Sequence, residues 1–179
     1  MEEIFDVYDI NGNHLGIKTK SFCHGENPGV YHKPVWIWIV SDNGKILLQK
    51  RAKTKKFMPS LWDAPSAGHV SAGEELKLAC VRETKEELGL ITKPEDFVFL
   101  KEVLSQKVWE LGQVYLLKIK HTNNFVLQQE EVEEVKWFGL EDFKDLLYSD
   151  NFVPYDKGYK DWILGELKSQ IKDIQTLNS

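Results

Sequence analysis

The chain carries, from residue 68 to residue 90, Gly68-His69-Val70-Ser71-Ala72-Gly73-Glu74-Glu75-Leu76-Lys77-Leu78-Ala79-Cys80-Val81-Arg82-Glu83-Thr84-Lys85-Glu86-Glu87-Leu88-Gly89-Leu90. No glycine or proline interrupts Glu74 to Leu88, and Gly89 stands where a helix C-cap falls, so the spacing predicts a helix from Glu74 to Leu88. At about 100° per residue, Glu83, Glu86 and Glu87 share roughly one third of the helix circumference. Like charges that close repel by about a few tenths of a kcal/mol per pair, which is a poor arrangement for stability alone. A hard divalent cation reverses that cost. Magnesium takes oxygen ligands and is held jointly by one or two carboxylates and the phosphate oxygens of a substrate. Leu78, Val81 and Leu88, with Thr84 at their edge, are expected to pack on the other side of the helix.

Outward from this stretch, the bulk properties bound the answer. With 179 residues, 42% of them hydrophobic and 12% aromatic, the chain is expected to form one domain over residues 1–179 with a real core. A net charge of −5 provides no basic field for a nucleic-acid backbone, so long DNA or RNA is excluded as a partner. The start is acidic and the longest strongly apolar run, Val35 to Val40, is far below a membrane span, so a cytoplasmic protein with no membrane partner is predicted. Cys23 and Cys80 lack a CxxC partner and are expected to be reduced.

Ile4 to Tyr8, the turn Asp9-Ile10-Asn11-Gly12 and Leu15 to Thr19 read as a hairpin within an N-terminal extension, residues 1–30. Val35 to Val40 and Lys45 to Gln49, joined by Asp42-Asn43-Gly44, read as a buried strand pair. Phe97 to Leu104, Val114 to Ile119 and Val135 to Phe138 read as strands, and Leu140 to Tyr148 as a helix. Residues 159–175 form a last amphipathic helix with Trp162, Ile163, Leu167, Ile171 and Ile174 on one side. Interleaved strands and helices predict an α/β class with a central mixed sheet between helical layers.

Gly68, Glu74, Arg82-Glu83, Glu86-Glu87, Gly89 and Leu90 resemble the Nudix box at that family's own spacing. The one departure, Thr84, takes an aliphatic position; it should alter packing more than chemistry, because its hydroxyl can bond the preceding turn's carbonyl. The resemblance implies an α/β/α sandwich and hydrolysis of a diphosphate linkage with Mg2+, or Mn2+ in its place. It implies Glu83, Glu87 and the Gly68 carbonyl as metal ligands, Glu86 as a further ligand or as water-orienting base, and Glu74 with Arg82 as structural support.

The flanks are similar to type I isopentenyl-diphosphate isomerases, which share the Nudix fold, through His32-Lys33-Pro34-Val35-Trp36-Ile37, Leu47-Leu48-Gln49-Lys50-Arg51-Ala52, Leu61-Trp62 and Gly68-His69. Those enzymes place a catalytic Cys two residues before the equivalent of His69, where this chain has Ala67. Ala cannot move a proton, so the allylic isomerisation lacks a required group. His24, His32, His69 and Glu110 fall at or near the isomerases' metal positions and are candidates for a second metal or acid/base site, or for ordinary hydrogen bonding within loops.

Among the lesser features, Arg51 is a candidate contact for a substrate phosphate, and Lys50, Lys53, Lys55 and Lys56 read as a solvated loop. Glu130, Glu131, Glu133 and Glu134 could include an extra base, against a solvated acidic run. Trp62 and Trp109 could stack on a base, against ordinary packing. The expectation is a magnesium-dependent hydrolase of a nucleoside diphosphate derivative or other organic diphosphate, with a small-molecule partner and room for a homodimer. An isomerase-like enzyme and a non-catalytic nucleotide-binding module are the alternatives.

Overall fold

The computed structural model describes residues 2–26 and 28–177. Its centre is strand β3 (Val35–Ser41), which runs parallel to β8 (Glu110–Ile119) and antiparallel to β4 (Ile46–Arg51) and β6 (Ser66–Gly68). Beyond β4 lie the two-residue β5 (Trp62–Asp63) and β9 (Val132–Phe138), and beyond β8 lies β7 (Phe97–Ser105). The sheet is therefore mixed.

The apolar run in β3 is explained by burial on both faces. Val35, Ile37 and Ile39 pack towards helix α2 (Leu76–Leu88), while Trp38 and Val40 pack towards α3 (Leu140–Leu147) and α4 (Lys157–Leu177). A strand covered twice has no polar side to alternate. On the α4 face the buried Trp38 indole donates to the Tyr159 hydroxyl (2.9 Å), which meets the polar requirement of both rings. No helix among the described residues is long and apolar enough to cross a membrane.

The hairpin formed by β1 (Ile4–Tyr8) and β2 (His14–Thr19) is a separate two-stranded sheet, followed by the single turn α1 (Lys20–Cys23). It docks on the main body through Tyr8 and Tyr31, and through Ile4, whose carbonyl accepts from Ala72 N–H (2.9 Å). Cys23 and Cys80 are free and buried.

Helix α2 differs from its prediction in two ways. It begins at Leu76, because Glu74 folds back: its amide donates to Ser71 O (2.9 Å) and its carboxylate accepts from Ser71 N–H (2.9 Å). Its C-terminus is closed by Gly89 in the left-handed region (φ 71), with Gly89 N–H donating to Lys85 O and Leu90 N–H to Thr84 O. The second difference concerns its faces. Leu78, expected to pack, is 46% exposed, whereas Ala79, Cys80, Thr84, Glu87 and Leu88 are buried. The packing arc thus contains Glu87, and the carboxylates are not set opposite it. Thr84 sits inside, donating to Cys80 O (2.8 Å), so its hydroxyl is satisfied within the helix.

Candidate active site

The antiparallel pairing of β3 with β6 lays Ser66-Ala67-Gly68 alongside α2. A Cβ on Gly68 would stand 1.9 Å from the Glu83 carboxyl carbon, so only glycine lets this carboxylate lie against the strand. One turn on, Ala67 N–H donates to Glu87 Oε2 (3.1 Å). Both acids are mostly withdrawn from water, whereas Glu86 is 52% exposed.

Arg82 ties the group together. Its Nε and Nη2 donate to the two oxygens of Glu74 (2.9 Å each), Nη1 to Glu83 Oε1 (2.6 Å), and Nη2 also to the His69 carbonyl (2.8 Å). Nη1 further reaches Glu86 Oε2 at 3.4 Å. A planar fork suits this task, because one guanidinium can serve several acceptors in a fixed geometry. The same ion pair closes the loop Ser71-Ala72-Gly73 that leads into the helix.

Burial pushes the Glu83 carboxyl above the usual carboxylate range despite Arg82 beside it. Burial, with the charge of Glu83 adding to it, pushes Glu87 up to about 8. Two desolvated acids a turn apart on one helix form a poor structural pair and a good oxygen donor set. A hard divalent cation fits: it would supply the positive charge that their burial withholds. Glu83, Glu87 and the exposed Glu86 are the side chains able to hold it.

On the other side of Gly68 a second cluster forms. One nitrogen from each of His24, His32 and His69 lies within 4.8 Å of the other two. His24 Nε2 and His69 Nε2 are 3.0 Å apart, and Glu110 Oε1 stands 3.7 Å from His32 Nε2. Pairing of His32 with Glu110 as a β-bridge sets that approach, and Trp109, just before Glu110, is held in the left-handed region (φ 56). A non-glycine residue there is strained, and it turns the chain as β8 begins. Burial foremost, then the neighbouring histidines, brings His32 down to about 3. Burial, with Lys20 next, does the same to His69, and burial alone pushes Glu110 up to about 7. Neutral imidazoles in this state keep free lone pairs.

Other candidates are placed differently. Arg51 is tied to its own loop: Nε donates to Met58 O (3.1 Å), Nη2 to Phe57 O (3.0 Å) and Nη1 to Asp63 Oδ2 (3.0 Å). Lys55 pairs with Glu131, while Lys50 and Lys53 meet Glu133 at 3.2 and 3.5 Å. Glu131 is nonetheless close enough to raise Glu87 electrostatically. Glu130 is exposed, and Glu134 approaches Lys50 at 3.9 Å. Trp62 packs edge-on to Phe138 and Trp109 lies beside Tyr31, so both indoles contact other aromatic rings of the chain. Phe5, which nothing in the local sequence singles out, lies in the middle of the histidine cluster.

A carboxylate-bearing helix laid against a glycine strand, in a mixed sheet covered by helices on both faces, is an oxygen-donor site suited to a divalent cation. The chain belongs to the Nudix family: the NUDIX domain model matches residues 30–161. Nudix hydrolase 3 of Arabidopsis thaliana is 38% identical over 171 residues, which is 87% of this chain but only 22% of that protein's length. An isopentenyl-diphosphate Delta-isomerase of Photorhabdus laumondii is 28% identical over 180 residues, covering 99% of each. A crystal structure from Deinococcus radiodurans matches the fold with a TM-score of 0.70 at 15% identity, covering 93% of this chain and 98% of that one. The chain thus sits in a Nudix subgroup similar to the isomerases.

Proposed function

We propose that this chain is a magnesium-dependent hydrolase of the diphosphate linkage in a nucleoside diphosphate derivative or another organic diphosphate. The observation that carries this reading is the partly buried Glu83 drawn against Gly68, where a side chain on residue 68 would exclude it, with the buried Glu87 beside it on the Ala67 amide. Glu83, Glu87, Glu86 and the Gly68 carbonyl would hold the ion. When bound, the ion neutralises diphosphate oxygens and acidifies a water for attack on phosphorus.

The chain's own groups then divide the work. Arg82 clamps Glu83 and Glu74, so the carboxylate facing Gly68 is oriented before substrate arrives. Glu86, the exposed member, is the group that can accept the water's proton. Ala67 offers only its amide, already given to Glu87, so no side chain at that position can protonate an alkene. This favours hydrolysis over isomerisation. The convergent nitrogens of His24, His32 and His69 with Glu110 support a second metal or acid/base site beside the first.

The test is phosphate or monophosphate release from a panel of nucleotides, nucleotide sugars, dinucleotides and isopentenyl diphosphate with Mg2+, for wild type and Glu87→Gln. Loss in the variant is expected, and equal activity would remove Glu87 from the site. Deuterium uptake from heavy water into isopentenyl diphosphate without diphosphate cleavage would instead establish the isomerase reading.

A further inference from the structure

The N-terminal hairpin lies outside the family-matched segment, which begins at residue 30, yet β1 reaches into the histidine cluster. Phe5 is 1% exposed, and its ring lies face to face with His69 (4.8 Å, 17°) and with His32 (5.2 Å, 18°). Those two imidazoles are tilted 35° to each other, and the Phe5 ring is intermediate in orientation, within 18° of each. The His24 ring stands nearly upright to both, at 75° to His32 and 73° to His69.

An imidazole lone pair lies in the plane of its ring, so whatever sets the plane also sets the direction of donation. In most histidine metal sites a hydrogen bond from the second ring nitrogen does this. Here neither nitrogen of His32 has a hydrogen-bond partner among the described residues, Glu110 Oε1 standing off at 3.7 Å from Nε2, and both nitrogens are buried. Ring packing is then what holds that plane, and Phe5 supplies the nearly parallel face. The placement of Phe5 is in turn coupled to the loop beyond His69. Ile4 O accepts from Ala72 N–H, and Asp6 Oδ2 from Gly73 N–H at 2.7 Å.

We propose that Phe5 is a positioning residue of the histidine site, its ring fixing the planes of His32 and His69 so that their nitrogens converge with that of His24 on one divalent transition-metal ion. This rests on reading the cluster as a metal site. Imidazole donors suit zinc, cobalt or another borderline ion rather than magnesium, so the two sites of the chain would take different metals.

The experiment is a Co(II) titration of the full chain with excess Mg2+ present to occupy the carboxylates, followed by visible absorption. Wild type is expected to take up one Co(II) with a ligand-field band, and His32→Gln to lose it. Phe5→Leu and Phe5→Met, which keep the apolar volume without the ring, are expected to weaken binding about 10–100-fold and to shift the band. Phe5→Tyr, which keeps the ring, should retain the band. Val7→Ala loosens the small core that Phe5 shares with Val7 and Cys23, and should leave the band in place. Circular dichroism reads the fold of each variant. Wild-type affinity in both ring-deleted variants overturns the role of Phe5, as does an equal loss in Val7→Ala, which would assign the effect to hairpin docking. Absence of Co(II) uptake by wild type, or uptake by His32→Gln equal to wild type, overturns the metal-site reading and this proposal with it.

Discussion

Gly68 and Glu83 compete for one volume: the Glu83 carboxyl carbon lies 1.9 Å from where a Cβ of residue 68 would be. The backbone of β6 and the carboxylate of α2 are thereby forced into a contact that only the absence of a side chain allows. Gly68→Ala must push Glu83 off the strand and away from Arg82. Metal affinity should fall about 10–100-fold, with kcat/KM falling in step. Mg2+-dependence of the rate, measured alongside circular dichroism, separates loss of the site from loss of the fold. Unchanged kinetics would show that the carboxylate has another productive position.

The pH dependence of metal-free stability follows from the raised acids. Glu87, at about 8, and Glu110, at about 7, are both held above the range of an exposed carboxylate. The fold therefore favours their protonated forms. Their stabilising contribution is complete below the unfolded value of about 4.3 and is lost as pH rises through about 7 to 8. Below about pH 6.5 the lowered His32 and His69 contribute the opposite slope, since the unfolded chain protonates them and the fold does not. Thermal unfolding of the metal-free chain should therefore move to lower temperature between about pH 6.5 and pH 8.5, and Mg2+ should restore more at the upper end. Glu87→Gln should flatten part of this slope while removing activity. A metal-free melting temperature that rises across that range would contradict the burial of Glu87.

Thr84→Val puts the family's aliphatic residue into a fully buried site whose hydroxyl bonds only within its surroundings, to Cys80 O, Val81 O and the Thr92 hydroxyl. Activity should be unchanged and urea stability should shift by no more than about 1 kcal/mol, because a modest net hydrogen-bond contribution is exchanged for a methyl group. A large loss of kcat would place Thr84 in the chemistry.

Arg51 holds a loop in which Met58 (φ 49) and Ser60 (φ 63) both occupy the left-handed region. Strain of this kind persists only while surrounding contacts impose it. Arg51→Ala should therefore open the segment from Lys53 to Met58 to trypsin well before the rest of the chain is cut. An increase in KM with wild-type resistance to proteolysis would instead make Arg51 a substrate contact.

Periodicity and punctuation carried most of the fold. The hairpin, the doubly buried β3, the glycine-capped α2 and the amphipathic α4 are local patterns, legible because burial and turn geometry act on neighbours in sequence. The spacing of Gly68, Glu74, Arg82, Glu83, Glu86 and Glu87 likewise identified the family, since a short strand end, a tight loop and one helix follow each other directly in sequence. Which way α2 faces was not legible. A helical wheel separates polar from apolar residues and so set the carboxylates opposite the packing side, with Leu78 inside. The structure instead buries Glu87, turns Glu83 against the strand and exposes Leu78, because the missing side chain at Gly68 leaves room for an acid there. Arg51 turned inward to its loop for a similar reason: its acceptors at Phe57, Met58 and Asp63 come together only when that loop closes. The histidines were visible as residues, but their convergence depends on β1, α1, β6 and β8 meeting in space. Phe5 had no signal at all, since a single apolar residue in a hairpin looks the same whether it fills a core or stacks on two imidazoles. Contacts between chain segments far apart in sequence are decided by packing, and packing is where this site was made.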